Sequence, residues 1–302
     1  INIGLMGEVG EMNGQRLTLL RRIERANGQD VTEPLLWKTL LPRTAKALKD
    51  DEIAVIDAGV KITAVQAAQI TRYVLKQAQN ATARRNILPI HVLGRKPEYG
   101  EIVRPLGRTR KGKVFPASKP DETCTLKHDG REIRVEIWRD LVRPDQKPNE
   151  DNPTFDIYVF HDPKYKKPWV LATSLKLQAE SVHQIYSDRW PVEQVPLSAK
   201  QMLGAHRQFV HNPEAVQRLP EITLLAGSIL SFLAASFLPV PTGFWDKNPK
   251  RTPGRFRRQL MGKLFPRDVE LPRRFREKRS YTAHLPKGNL ARTLQMNQTT
   301  PV

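Results

Sequence analysis

Four residues within one short stretch of this chain are of types that could together act on a phosphate group. The stretch reads YSDRWPVEQVPLSAK and places Tyr186, Arg189, Glu193 and Lys200 at offsets 0, 3, 7 and 14. At about 100° per helical residue these offsets fall within roughly a 60° arc, so a continuous helix would carry all four on one face. One carboxylate, two cations and a phenol on one face could hold a phosphate and a metal ion. The alternative interpretation is a solvated amphipathic helix.

A second carboxylate of interest follows a short apolar run. Residues 53–56 read IAVI, a pattern typical of a buried strand, and the run ends in Asp57-Ala58-Gly59. Open α/β sheets carry their chemistry beyond the carboxyl ends of such strands, so Asp57 is predicted to be a second catalytic carboxylate. A strand-end Asp taken alone is more often a helix cap or a turn residue. The presence of Glu193 favours the catalytic interpretation.

The spacing Y-x2-R-x3-E-x6-K resembles the signature of one group of bacterial insertion-sequence transposases. These belong to the DDE superfamily, whose catalytic core has the ribonuclease H-like fold. The approach to the motif, KPWVLATSLKLQAESVHQIYSDRW, and the D-x-G pattern at Asp57 resemble the same group. Less specifically, the resemblance covers residues 1–210.

The resemblance implies metal-dependent DNA cleavage and strand transfer at insertion-sequence ends. It implies that Asp57 and Glu193 hold two Mg²⁺ (or Mn²⁺) ions, as hard cations prefer carboxylate oxygens. It further implies contacts to DNA from Tyr186, Arg189, Trp190 and Lys200. The expected partners are transposon-end and target DNA and at least a second protomer assembled on DNA. A cytoplasmic, nucleoid-associated bacterial protein is expected, and the single Cys124 excludes an internal disulfide bond.

The sequence departs from the family pattern in two places. The first catalytic Asp of the family lies on a strand before the hairpin, yet no Asp precedes Asp30 here. We therefore expect that the chain is an N-terminally truncated fragment that lacks the first strand and is inactive alone. Pro196 follows Pro191 by only five residues, and a proline inside a helix removes a hydrogen bond and crowds the preceding turn. Pro196 could therefore move Lys200 off the common face.

The order of predicted elements indicates a mixed α/β fold. Asn13-Gly14 predicts a tight turn within a hairpin over 1–23. Helices are predicted over 33–49, with Pro42 as a kink or break, and from Thr63 to Ala81. Together with the resemblance, this order predicts a ribonuclease H-like mixed sheet flanked by helices. The predicted segments are 1–89 (first part of the core), 90–160 (β-rich insertion), 161–240 (second part of the core) and 241–302 (basic, partly disordered tail).

The net charge of +19 points to a polyanionic partner, with nucleic acid ahead of anionic membrane. The segment 94–119 carries eight Lys or Arg against two Glu, and 241–302 carries 15 against four Asp or Glu. We predict that both contact the DNA backbone, although a solvated loop and a solubilising tail are the simpler alternatives. The residues chosen as contacts are Arg108, Arg110, Lys111, Arg255, Arg257 and Arg258.

Two local patterns have competing interpretations that we set aside. GRTRKGK at 107–113 matches G-x4-G-K, but a phosphate-binding P-loop requires Ser or Thr next and a following helix, whereas Val114 and then FPASKP follow. Residues 222–238 are uncharged for 17 positions, near the lower limit for a membrane span. A core helix packed against the sheet is preferred, and no membrane partner is expected.

Two other functions are compatible with much of the same sequence. A non-catalytic DNA- or RNA-binding protein derived from a decayed transposase would show the same charge. A ribonuclease H-like nuclease without strand transfer would share the carboxylates, although simple cleavage does not need the Y-R-E-K set. Only the acidic residues of the metal site distinguish a catalyst from a binding protein.

Overall fold

The computed structural model describes residues 2–26, 32–87, 93, 99–205, 211–242 and 245–262. The strands in these ranges are β1 (Asn2–Met12), β2 (Gln15–Ala26), β3 (Ala54–Ile56), β4 (Tyr73–Lys76), β5 (Ala83–Arg85), β6 (Ile102–Val103), β7 (Arg108–Arg110), β8 (Lys113–Phe115), β9 (Glu122–His128), β10 (Arg131–Val142), β11 (Phe155–His161) and β12 (Trp169–Thr173). The helices are α1 (Glu33–Ala47), α2 (Ile62–Ala67), α3 (Ala179–Ser187), α4 (Trp190–Leu203), α5 (Pro213–Ser236) and α6 (Pro253–Gly262). The chain is therefore a mixed α/β protein, as predicted.

The first two strands form the predicted hairpin. Asn13 and Gly14 both have positive φ, 51° and 72°, as a two-residue turn between right-twisted strands requires. The pairing runs from Met12 opposite Gln15 to Asn2 opposite Ala26, with one irregularity between Met6 and Gly7. β1 and β2 make a sheet of their own, separate from the main sheet.

The main sheet has eight strands and mixed direction. Its path is β3-β4-β12-β11-β10-β5-β6, and β9 pairs with β10 beside this path. β3 and β4 are parallel and are joined through α2, whereas the other pairs are antiparallel. The segment predicted as an insertion therefore contributes strands to the same sheet as β3, β4 and β12.

The predicted helix from Thr63 to Ala81 is wrong over most of its length. The helix α2 ends at Ala67, and Gln69 adopts a positive φ of 60° that stops it. The run Tyr73–Lys76 then forms the buried strand β4. A tyrosine and a β-branched valine favour a strand here, and pairing with both β3 and β12 outweighs the helical tendency of the flanking residues.

The apolar run from Ile157 to Phe160 in β11 shows why the sheet is covered on both faces. Ile157 and Val159 face a cluster that includes Trp138 and residues of α1 and α2. Tyr158 and Phe160 face the opposite cluster, which includes Val182 of α3. Because side chains alternate along a strand, an uninterrupted apolar run requires a helical layer on each side.

The helix α5 packs against the hairpin and α4. Leu224 joins Val195 and Ala199 in one cluster with hairpin side chains. The Ser228 hydroxyl accepts from the Leu20 backbone N–H at 3.2 Å. By length and composition α5 could also cross a membrane, and 33% of its most apolar window is buried. The predicted packing of this segment thus takes place against the hairpin, not against the main sheet.

The two basic segments contain regular structure where they are described. Residues 108–115 form a β-hairpin rather than a loop, with no helix after Lys113, which agrees with the rejection of a P-loop. In the tail, α6 carries Arg255, whose guanidinium pairs with Asp246 at 2.8 Å. Residues 263–302, which make up most of the predicted basic tail, lie outside the described residues.

A buried ionic network fixes the end of the sheet opposite to Asp57. Asp156, with 1% of its side chain exposed, accepts from Arg139 at 2.9 Å and from Lys176 at 2.8 Å. It also accepts from the backbone N–H of Asp140, which has a positive φ of 52° at an irregularity in β10. The Asp156 carboxylate therefore pairs with two cations and also accepts the N–H of a residue in a strained backbone conformation.

We predict that Asp156→Asn lowers the free energy of unfolding by about 3 kcal/mol, because it leaves two cations around an uncharged buried group. Urea denaturation followed by circular dichroism measures the change. Asp145→Asn is the matched control, because its carboxylate is 61% exposed and pairs with a single arginine. Equal effects of the two substitutions would contradict a stabilising role for the network.

Candidate active site

Asp57 lies directly after β3, at the edge of the main sheet. The parallel register sets Ile56 opposite Leu75, so the next residues along the two strands, Asp57 and Lys76, are neighbours. Their side chains approach to 4.0 Å. Asp57 is 48% exposed and its Oδ1 accepts from the backbone N–H of Ala58 at 2.7 Å. The end of β3 thus presents an accessible carboxylate beside a cation. The sequence predicted the position of Asp57 at the strand end but not the neighbouring Lys76.

The predicted continuous helix over the Y-R-E-K set is wrong. The helix α3 ends at Ser187, and α4 begins at Trp190 with Pro191 in its first turn. Proline is accepted at that position because the first N–H groups of a helix have no partner within the helix. Arg189 lies at the junction, so Tyr186 belongs to one helix and Glu193 to the next.

Three of the four motif residues nevertheless meet at Asp57. The Tyr186 hydroxyl donates to Asp57 Oδ1 at 2.9 Å. The guanidinium of Arg189 lies 3.5 Å from Asp57 Oδ2 and donates to Glu193 Oε1 at 2.7 Å. Arg189 therefore bridges two carboxylates that are 136 residues apart in the chain.

The electrostatics of this cluster keep Asp57 ionised. Partial burial acts to raise the pKa of Asp57, but hydrogen bonds from Ala58 and Tyr186 and the charges of Arg189 and Lys76 outweigh it, so the pKa lies below its usual value. The stability contributed by these bonds is present at neutral pH and is lost as the pH falls through that lowered pKa. Burial, followed by the nearby Asp57 charge, raises the pKa of the Tyr186 hydroxyl, which keeps it a donor.

The cluster opens into a cleft of about 640 Å³ whose wall is aromatic. Trp190, 60% exposed, and Tyr165, 40% exposed, present flat apolar surfaces to solvent. Trp169 lies beneath them, with its ring 5.2 Å from that of Tyr186 and 4.9 Å from that of Tyr165. The cleft is lined by charged side chains of both signs and by exposed aromatic rings, so it can hold a charged ligand that also has a flat apolar part.

A buried histidine forms the floor of the same cleft. His183 is 3% exposed, and its ring lies 4.6 Å from that of His128 and 5.5 Å from that of Trp169. Its Nε2 has no hydrogen-bond partner among the described residues. Burial, followed by the neighbouring His128, lowers the pKa of His183, so the ring is neutral at pH 7.

Two carboxylates of the cluster are of the chemical type that binds a divalent ion. Mg²⁺ is commonly held by one or two carboxylates, and water and substrate phosphates complete its shell. Asp57 and Glu193 are 48% and 39% exposed, and both are paired with Arg189, which an ion would have to displace. Within the described parts of the chain, no group of three or more His, Cys, Asp or Glu is arranged to hold a metal ion. A second ion would need a further acidic residue.

The remaining predicted contact residues lie away from Asp57. Lys200 lies seven residues, or about two helical turns, beyond Glu193 on α4. It lines a separate cavity of about 240 Å³ with Leu5, Pro196 and Leu224. Arg108, Arg110 and Lys111 lie on the β7–β8 hairpin, and Arg255, Arg257 and Arg258 lie on α6. Of the motif, the structure thus brings together Tyr186, Arg189, Glu193 and the neighbouring Trp190.

Sequence reasoning missed Lys76, Trp169 and His183. Lys76 was hidden because its strand was assigned to a helix, although the apolar run YVL before a lysine could have indicated a strand end. Trp169 lies within the segment KPWVLATSLKLQAESVHQIYSDRW, but the resemblance gave it no role. His183 precedes Tyr186 by three residues, a spacing that places both on one helical face and could have been noticed.

A second concavity lies between the hairpin and the main sheet. It has a volume of about 450 Å³ and is lined by Gly7, Val9 and Gly10 of β1, by Ile53 and Val55 at β3, and by Val192 of α4. Among the described strands, β1 pairs with β2 and β3 pairs with β4, so each has one unpaired edge. We call this concavity the interstrand groove.

We predict that Tyr186→Phe raises the pKa of the Asp57 carboxyl, because the ionised form loses one of its hydrogen-bond donors. Carbon-detected NMR titration of the carboxyl resonances measures the shift. Tyr165→Phe is the control, since Tyr165 lines the same cleft and contacts Trp169 rather than Asp57. An unchanged Asp57 pKa in Tyr186→Phe would contradict the role given to this hydroxyl.

The chain matches no protein-family model and no curated protein sequence. Neither comparison therefore supplies a family or an activity for the protein. A functional assignment has to be argued from the Asp57 cluster, the cleft and the groove.

Proposed function

We propose that this chain is most of a ribonuclease H-like catalytic core and that it acts as a DDE transposase of the Y-R-E-K group. Its reaction would be the metal-dependent cleavage and transfer of DNA strands at insertion-sequence ends. The observation that carries the proposal is the meeting of Asp57 with Tyr186, Arg189 and Glu193. A strand-end carboxylate and a distant helical motif converge on one accessible cluster, which a solvated amphipathic helix would not require.

The residues of the cluster have distinct roles in this proposal. Strand cleavage is an in-line displacement at phosphorus, in which a water oxygen forms a new P–O bond as the bond to the leaving 3′ oxygen breaks. A bound Mg²⁺ would supply positive charge to the reacting phosphate. Asp57 and Glu193 would hold the ion, and Tyr186 would fix the orientation of the Asp57 carboxylate. Arg189 turns from the carboxylates to a phosphate oxygen, for which its forked donors are suited.

The aromatic cleft supports a nucleic-acid substrate. A phosphodiester at the carboxylate end would place its neighbouring bases along the wall, where Trp190 and Tyr165 are exposed. Stacking of a base on an aromatic ring contributes about 1–3 kcal/mol per base and does not depend on sequence. Lys76 provides a further cation next to Asp57 for the same backbone.

The interstrand groove supports the ribonuclease H-like interpretation, because it has room for a further strand between the hairpin and the main sheet. The helix α1 contacts both hairpin strands and also the apolar core of the main sheet. The helix α4 also contacts both strands of the hairpin. The same helices thus hold the hairpin and the main sheet, and one unpaired strand edge lies on each side of the groove. Unpaired edges of this kind are templates for another strand. We propose that a strand preceding residue 1 occupies the groove and supplies the further acid.

One observation favours a second candidate, a DNA- or RNA-binding protein without catalytic activity. Arg189 already neutralises both carboxylates, and only two acids meet within the described cluster. A protein that had lost its metal site could keep this ion pair as a structural feature. The two candidates differ in cleavage and share nucleic-acid binding.

We predict that the protein extended by the residues encoded upstream of Ile1 cleaves its element's ends in Mg²⁺. Glu193→Gln should reduce cleavage by at least about 10³-fold, because metal charge stabilisation is lost, and should leave the affinity for DNA unchanged. Glu214→Gln is the matched control, since Glu214 is 67% exposed and pairs with Arg218 on α5. Gel analysis of end-labelled DNA and fluorescence anisotropy measure the two properties. DNA binding without cleavage by the extended protein would favour the non-catalytic candidate.

We further predict that the upstream extension protects the backbone amides that face the interstrand groove. Hydrogen exchange measured by mass spectrometry should slow in peptides containing β1 and β3, because both edges gain hydrogen-bond partners. Peptides from β9, which pairs with β10 far from the groove, should exchange at the same rate in both proteins. Equal exchange of β1 and β3 in both proteins would contradict strand insertion.

A further inference from the structure

A small basic hairpin projects beyond the far edge of the main sheet. It consists of β7 and β8, which pair only with each other, and its turn residues Lys111 and Gly112 have positive φ of 48° and 75°. Arg108 is paired with Phe115 and Arg110 with Lys113. Directly opposed residues, and residues two apart on one strand, share a face of a hairpin. These three cations and the phenyl ring therefore lie on one face.

Three positive charges surround the ring of Phe115. The guanidinium carbons of Arg104 and Arg108 lie 5.2 Å and 5.5 Å from its centroid, and the Lys113 ammonium lies at 5.6 Å. Each contact with the ring is favourable by about 0.5–1 kcal/mol at an exposed site. The three cations repel one another, however, and a ring quadrupole does not neutralise them.

These cations lack anionic partners within the described chain. No ion pair of the described residues includes Arg104, Arg108 or Lys113. The Nε atoms of Arg104 and Arg108 are buried and have no hydrogen-bond acceptor. Arg85 and Arg139 in the nearby sheet, by contrast, each pair with carboxylates. A buried donor without a partner costs about 1–3 kcal/mol, which an incoming anion would recover.

The cluster is distinct from the Asp57 site. β6, which leads to Arg104, is separated from β3 by six strand spacings along the sheet path, or about 29 Å at ~4.8 Å each. In addition, β6 pairs with β5, and β5 pairs with the Leu141–Val142 end of β10, opposite to the Asp57 end of the sheet. One small ligand cannot reach both places.

We propose that Arg104, Arg108 and Lys113, gathered around Phe115, form a phosphate-binding site for the backbone of double-stranded DNA. Arg110 and Lys111 at the tip would contact adjacent phosphates. A separation of about 29 Å corresponds to roughly nine base pairs at ~3.4 Å each. Only a duplex of greater length could therefore touch both the hairpin and the Asp57 cleft. This proposal concerns binding and does not depend on the catalytic assignment.

The test is the salt dependence of binding of the chain to a fluorescent 30-base-pair duplex, measured by anisotropy. Arg108→Gln with Lys113→Gln should lower the slope of log K against log salt by about 2, since each lost phosphate contact removes about 0.9. Lys38→Gln with Lys46→Gln on α1 removes the same charge from exposed positions and should change the slope by less than about 0.5. Equal changes in the two double variants would overturn the proposal.

Two further measurements separate a binding defect from other causes. Phe115→Leu keeps every charge and should weaken binding without changing the salt slope, whereas loss of folding would appear as a lowered Tm in each variant. Cleavage plays no part in this assay, so failure here would leave the proposed function untouched. Unchanged affinity for the duplex together with lost binding to phosphatidylserine vesicles would assign the hairpin to a membrane surface and overturn the DNA proposal.

Discussion

The geometry of the candidate site depends on the double ion pair of one arginine. The Arg189 side chain is 14% exposed and pairs with both Asp57 and Glu193. Two carboxylates near each other repel, and the guanidinium between them offsets this repulsion and joins the end of β3 to the first turn of α4. Burial acts to lower the pKa of Arg189, but the hydrogen bond to Glu193 and the charges of Asp57 and Glu193 outweigh it, so the pKa is raised and the cation persists. Its position also explains why three motif residues meet although their helices are separate.

The backbone remains helical through the junction of α3 and α4, since Asp188 and Arg189 both have right-handed helical dihedrals. Arg189 and Glu193 are an i,i+4 pair, and Tyr186 precedes Arg189 by three residues, so the three side chains are neighbours as they would be on one helix surface. Lys200 lies a further seven residues along α4 and lines a separate cavity. The structure therefore separates a convergent part of the Y-R-E-K set from a distant one.

Local signals predicted the parts of the fold that depend on local chemistry. Asn13-Gly14 predicted the first hairpin, the IAVI run predicted β3, and the position of Asp57 followed from the end of that strand. The error at 63–81 and the missed Lys76 share one cause, since β4 forms only because β3 and β12 pair with both of its edges. The run YVL hints at a strand, but nothing within residues 63–81 shows that β3 and β12 lie on either side of it. The meeting of Arg189 with two carboxylates was likewise inaccessible, because spacing shows a shared face but not what lies opposite to it.

The net positive charge alone does not show which cations are available to bind a ligand, because many of them pair with carboxylates of the same chain. Arg85, Arg139 and Arg255 hold carboxylates of the same chain and are part of the fold. Arg189 has two internal partners, yet it lies in an open cleft where a phosphate could compete for its donors. Arg104 and Arg108 are partly buried and have no acceptor for their Nε atoms among the described residues. A net charge of +19 predicts a polyanion. The unpaired cations indicate where on the molecule that polyanion would bind.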